Sequence, residues 1–233
     1  SNKKKLTNHI SAAIRTIFSN ALFFIPLIII LGILDTALFH GALSINELEA
    51  GSKDLMSDQS KLIKMSFTYL GLMLFSKAIL GPFISILIVA FSRATAMQTS
   101  LGIGTAINFA FKRYKKVFVP FLLALLSIQI GMIIIVPGIM FMMQYAFVDS
   151  VATLENEKHV LTRSKRLTKS RRKSLIFLIL PYVLLGQVVQ FAEFIYSADM
   201  TKMILINAAY EGLLIMLLSS FYMMYHERVT LIS

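Results

Sequence analysis

Four ionisable residues fall inside stretches that are otherwise apolar: Asp35, Lys77, Glu193 and Glu211. A charge at the centre of a hydrocarbon layer costs roughly 2.5–3.5 kcal/mol, so such residues face inward and find partners. Lys77 is the only cation of the four, which makes one of the three acids its expected partner. Two outcomes stay open. The set forms a polar cavity serving a head group or a proton, or it is a buried ion pair that fixes helix register. Gly81-Pro82 follows Lys77 closely, and the proline frees the carbonyl of Ala78 and kinks the helix there. Gln187, Gln190 and Asn207 add neutral polar groups to the last two apolar stretches.

Positions 163–173 carry the strongest charge cluster: Arg163, Lys165, Arg166, Lys169, Arg171, Arg172 and Lys173. Each such cation near an anionic leaflet adds roughly 1 kcal/mol of attraction. Val160, Leu161, Ser164 and Leu167 form a thin stripe able to rest on the membrane or on neighbouring helices. The cluster reads either as a topology determinant that meets lipid head groups generically or as a contact for one partner. That partner would be a phospholipid, a phosphorylated ligand or a soluble subunit. Nucleic acid is not expected, because interleaved aromatics and a folded basic domain are missing. A third group, Gln144, Tyr145 and Asp149, precedes this cluster. Asp149 is expected to cap the basic segment or to pair with Arg163 or Arg166.

Other chemistries lack their residues. His9, His40, His159 and His226 are scattered and no HExxH accompanies them, so no metal and no other cofactor is expected. The chain has no cysteine, no nucleophile elbow, and only a lone GxG at 102–104. Glu193 and Glu211 are the only acids that an intramembrane enzyme could pair, and the expectation is a protein that is not an enzyme.

The elements that position these residues follow from composition. Hydrophobic residues make up 57% of 233 and charged residues 15%, with a mean hydropathy of +0.74. A water-soluble surface cannot be built from this, so lipid must cover much of it. The net charge of +11 lies between apolar runs, where anionic head groups are the near partner. Apolar runs at 20–43, 65–91, 117–136, 138–154, 175–197 and 202–225 predict an all-α polytopic domain over 1–233. Its six transmembrane helices pair as three hairpins, with the fourth short enough to be re-entrant. Amphipathic interfacial helices are predicted at 5–19, 101–116 and 155–174. On the first, Ile10, Ala13, Ile14, Ile17 and Phe18 share a face. On the second, Ile103, Ala106, Ile107, Ala110, Phe111 and Tyr114 do. Pro26, Pro120 and Pro181 each fall early in the first span of a pair, consistent with a weak threefold repeat.

Lysine and arginine gather in the N-terminal arm, at 92–116, at 155–174 and in the tail. The 44–64 loop, with Glu47, Glu49, Asp54 and Asp58, is acidic. Both termini are therefore expected in the cytoplasm. Tyr69 and Tyr196 suit an outer aromatic belt, and Tyr114, Tyr222 and Tyr225 an inner one.

The segment Pro137-Gly138-Ile139-Met140-Phe141, then Phe147-Val148-Asp149-Ser150-Val151, then Leu161-Thr162-Arg163-Ser164-Lys165-Arg166-Leu167 resembles bacterial inner-membrane proteins related to the membrane domain of glycerophosphodiester phosphodiesterases. In that family a PGI turn opens a short span and an RSxxL helix precedes the next. The resemblance covers about 35 residues closely and implies a bacterial inner-membrane setting tied to lipid or envelope metabolism. The family's soluble phosphodiesterase domain, with its metal-binding acids and histidines, has no counterpart in these residues, so catalysis does not carry over. The expected function is non-enzymatic binding of lipid, anionic phospholipids above all, or of an envelope partner or a second copy. The alternative is a transporter or an exporter's membrane subunit that uses the intramembrane polar residues.

Overall fold

The structure is a computed structural model that describes residues 2–50, 59–196 and 199–230. Among these residues the chain is helical throughout: α1 (Asn2–Ser19), α2 (Ala21–Ala50), α3 (Gln59–Ala96), α4 (Ile103–Met132), α5 (Val136–Tyr145), α6 (Val148–Leu154), α7 (Val160–Thr168), α8 (Arg172–Ile195) and α9 (Met200–Thr230), with a 3-10 turn at Lys169–Arg171. Among the described residues five helical stretches are long and apolar enough to cross a membrane: Ala21–Ile45, Phe67–Ala96, Ile103–Met132, Val160–Val189 and Met200–Thr230. Leu22, Ile133, Phe18 and Phe177 lie at 91%, 81%, 74% and 70% exposure. Water would penalise a girdle of this kind, and hydrocarbon does not. The molecule is a multi-pass membrane protein by its fold.

The expected fourth span, 138–154, is corrected by the structure. It is two helices of 10 and 7 residues, about 15 and 10 Å long, and neither crosses a 30 Å core alone. The break at Ala146-Phe147 has a cause in tertiary contact. Ser164 Oγ of α7 accepts from the Phe147 amide at 3.3 Å and donates to the Gln144 carbonyl at 2.9 Å, replacing the backbone partners lost at the break. The connector expected at 101–116 is corrected too, because it is continuous with the following span as the single 30-residue helix α4. The Tyr114 hydroxyl donates to the Ile79 carbonyl of α3 at 2.8 Å. The loop expected at 44–64 is helical at both ends, and its residues 51–58 lie outside the described residues.

The helices pack in the order α4, α3, α2, α9, α8, with α3 and α9 also in contact and α5 touching both α4 and α8. Packing is dense at one end only. Residues 85–92 of α3 are buried on every side, encased by Ala106, Ala110, Phe147, Val151, Phe221 and Tyr225. That end gathers the basic elements. Glu227 accepts from His9 and Arg171, each at 2.9 Å, tying α9 to α1 and to the turn before α8. Glu155 accepts from Arg163 at 3.0 Å and from the Tyr225 hydroxyl at 2.9 Å, and its carbonyl accepts from Lys116. The contact between His9 and Glu227 brings both ends of the described chain to this same end. At the other end Asp199 accepts from the Lys202 amide at 3.1 Å to cap α9, and the Lys202 ammonium holds its carboxyl below the usual range.

Ile135, at the α4–α5 turn, has φ 55°, where a β-branched side chain is strained by about 1–3 kcal/mol. Its side chain is 58% exposed and contributes little packing. Ile135→Gly is therefore expected to raise the thermal midpoint in detergent, followed by far-UV circular dichroism. A lowered midpoint would contradict the strain assigned to this turn.

Candidate functional site

These helices enclose a cavity of about 660 Å³. Its back wall is α3 and α9, its sides are α4 and α8, and Tyr145, Ala146, Val148 and Asp149 from the α5–α6 break form its floor. Leu80, Ile84, Ile88, Leu125, Ile128, Leu214 and Leu218 make most of the lining apolar. The helices α4 and α8 scarcely touch each other, and α5 packs against both on that side. Ile133, just past the end of α4, and Leu184 of α8 line the cavity and are also strongly exposed.

Polar groups sit on this wall at two levels. Lys77 Nζ lies 2.7 Å from Glu211 Oε1, the partner expected for the lone intramembrane cation. The Glu211 side chain is 5% exposed and that of Lys77 24%, so the pair is largely withdrawn from solvent and each charge depends on the other. Asp35 lines the same cavity and lies within electrostatic reach of Lys77. The side chain of Glu193, the fourth member of the expected set, lies outside the described residues. At the floor, Ser85 Oγ donates to Asp149 at 2.8 Å. This corrects the expectation that Asp149 pairs with Arg163 or Arg166, because Arg163 is taken by Glu155.

Tyr182 and Tyr210 stack on the cavity wall with centroids 4.8 Å apart and planes 9° from parallel. A Cβ at Gly186 would lie 2.5 Å from the Tyr210 hydroxyl oxygen, so only glycine leaves room for that ring. Gln129 and Gln187 complete the polar lining. Tyr182, Tyr210 and Ser85 carried no signal in the sequence, since an aromatic or a serine in an apolar run reads as packing. Among the described residues no group of three metal-binding side chains exists.

The polybasic segment divides by role. Arg163 and Arg171 are held in ion pairs within the fold. Lys165, Arg166, Lys169, Arg172 and Lys173 are exposed on the outside of α7 and the start of α8. Val160, Ser164, Leu167 and Thr168 are buried against neighbouring helices, one of the two resting places open to that stripe.

The fold and cavity together define a membrane protein, all-helical among the described residues, with an internal cavity. Compared with protein-family models, curated proteins and solved structures, the chain matches none.

Proposed function

We propose that this is a non-enzymatic membrane protein that binds an amphiphile, a lipid or a lipid-like molecule, in its central cavity. The carrying observation is the mostly apolar cavity of about 660 Å³, whose lining includes the strongly exposed Ile133 and Leu184. Those two residues support entry from the side that faces hydrocarbon. That volume falls within the ~300–1,000 Å³ of sites that enclose a small organic ligand. A lipid chain entering sideways never leaves hydrocarbon, and only its head needs polar partners. The resemblance to the membrane domain of glycerophosphodiester phosphodiesterases supports a bacterial inner-membrane setting and a place in lipid or envelope metabolism.

The chain crosses the membrane six times in this proposal, the fourth time as α5 and α6 together, with both termini in the cytoplasm. Two observations support it. The described chain starts and finishes at one end of the bundle, and that end carries the exposed cations. Lys165, Arg166, Lys169, Arg172 and Lys173 then face anionic head groups. Replacing all five by glutamine is expected to reduce co-purified phosphatidylglycerol several-fold while leaving the thermal midpoint within about 1 °C of the parent, since the five are exposed. Unchanged lipid content would remove the anionic contact from the proposal.

Transport is the second reading, favoured by the placement of the Lys77–Glu211 pair on the cavity wall. It requires the floor to open. Phe147, Val151 and Ala152 are fully buried there, and Ser164 pins the break above them. Liposome flux that survives in the parent and is lost in Lys77→Met would favour transport over binding.

A further inference from the structure

On the reading that the cavity holds an amphiphile, its lining also narrows the head group. Every charge on the described lining already has a place in the fold. Lys77 meets Glu211 at 2.7 Å, and Asp149 is held by Ser85 at 2.8 Å. Asp35 has an interaction of its own and lies within electrostatic reach of Lys77. A cationic head would have to displace the Lys77 ammonium from the acids. An anionic head would face three carboxylates, with the lone ammonium of the lining already engaged. In both cases an ion is desolvated without a free counterion, a cost that a neutral head avoids.

Two lining amides stay open. Gln129 of α4 and Gln187 of α8 line the cavity, and neither side chain has a hydrogen-bond partner among the described residues. An amide left unpaired in an apolar stretch is costly, and each of these offers donors and an acceptor together. Gln129 stands twelve residues beyond Val117, and Gln187 twelve beyond Leu175, two core residues of the dense end. At 1.5 Å per residue both amides lie about 18 Å from that end, on different walls. Nearer to it the lining is mainly apolar, with Ile84, Ile88, Leu125, Leu214 and Leu218. A polar band above an apolar pocket is the profile of a short head followed by a chain.

We propose that the cavity selects amphiphiles with an uncharged head that both donates and accepts hydrogen bonds, a monoacylglycerol being the simplest example. The head lies between Gln129 and Gln187. The chain runs along Ile84, Ile88, Leu125 and Leu214 towards the floor.

The test uses the purified full chain exchanged into an amphipol, so that no sugar-headed detergent competes for the site. Thermal midpoints are measured with monododecanoylglycerol, dodecylamine, dodecyl phosphate and glycerol, the three amphiphiles each below its own aggregation concentration. Monododecanoylglycerol is expected to raise the midpoint by about 5 °C at saturation, and the other three by far less. The double variant Gln129→Met/Gln187→Met keeps the side-chain length and removes both amides. Its ligand-free midpoint should hold, and the monododecanoylglycerol concentration it needs should rise roughly tenfold or more. Equal shifts with all three amphiphiles, or a preference for a charged one, overturn the head-group selection and leave amphiphile binding standing. An equal response to glycerol overturns the amphiphile in favour of a small-polyol site. An unchanged monododecanoylglycerol response in the double variant overturns the placement of the head. A drop in that variant's ligand-free midpoint shows that the amides serve the fold, and overturns their assignment to a head group. No upward shift with any of the four compounds defeats both the selection and the binding proposal beneath it.

Discussion

Lys77→Met is expected to lower the thermal midpoint sharply, and adding Glu211→Leu to recover most of the loss. Removing the lysine leaves the Glu211 carboxylate 5% exposed among Leu214, Ile215 and the rest of the cavity wall. Breaking a buried pair by deleting one partner costs about 3–5 kcal/mol, chiefly the desolvation of the charge left behind. Removing both charges in favour of apolar groups of similar volume is often neutral. Recovery stays incomplete because Asp35, within reach of Lys77, also loses its cation. Circular dichroism and size-exclusion profiles in detergent read both variants. A double variant as unstable as the single one would show that the pair is not the source of the loss. A single variant as stable as the parent would show that Glu211 readily sheds its charge, which suits a site built to exchange protons or ligands.

This outcome bears on how far the sequence could be read. That Lys77 needs a carboxylate follows from the cost of a lone charge in hydrocarbon, and three acids were visible candidates. Choosing Glu211 required the helix packing. The amphipathic face of α1 was legible from spacing, yet it divides. Ala13 is buried against the bundle, as is Thr16 from the expected polar side, whereas Ile14 and Phe18 of the apolar face point outward. Periodicity identifies an apolar face and cannot tell protein from lipid, because both accept the same side chains.

The misjudged elements share a physical reason. Lys112, Arg113, Lys115 and Lys116 look like a boundary, since charges mark the edge of a membrane. Pro120 follows them but lies inside α4 without ending it, so the helix continues through. At 138–154 the opposite holds. The run is apolar throughout and its break depends on Ser164, seventeen residues beyond the Phe147 amide that it accepts from. A local reading has no access to a partner that distant. Glu155 and Glu227 are similar. Glu227 gathers His9 and Arg171 and Glu155 gathers Arg163 and the Tyr225 hydroxyl, and nothing in their sequence neighbourhoods announces it. Elements recognised by composition were legible, and elements made by long-range hydrogen bonds were not.

Gly32→Leu is expected to abolish the monodisperse folded species, and Gly32→Ala to destabilise it by about 1–3 kcal/mol. A Cβ at Gly32 would stand 2.6 Å from the Ala208 backbone nitrogen and 2.8 Å from its Cα and Cβ. These are atoms of a packed helix, not the end of a mobile side chain, so α2 and α9 must separate. Small residues that let two backbones approach are what hold helices together where lipid removes the hydrophobic advantage of association. Separation at Gly32 also breaks the chain of bonds one turn along. There Asn207 donates to the Thr36 hydroxyl at 3.1 Å, and Thr36 donates to the Gly32 carbonyl at 2.8 Å. These groups are buried, so losing their partners adds desolvation to the steric cost. The control lies on the same helix. A Cβ at Gly41 meets nothing within 4 Å, so Gly41→Ala should hold or gain up to ~1 kcal/mol through helix propensity. Since α2 and α9 also carry Asp35 and Glu211, Gly32→Ala should weaken any ligand response of the cavity together with the midpoint. Equal midpoints for Gly32→Ala and Gly41→Ala would mean that α2 and α9 do not meet at Gly32, and the back of the cavity would have to be rebuilt.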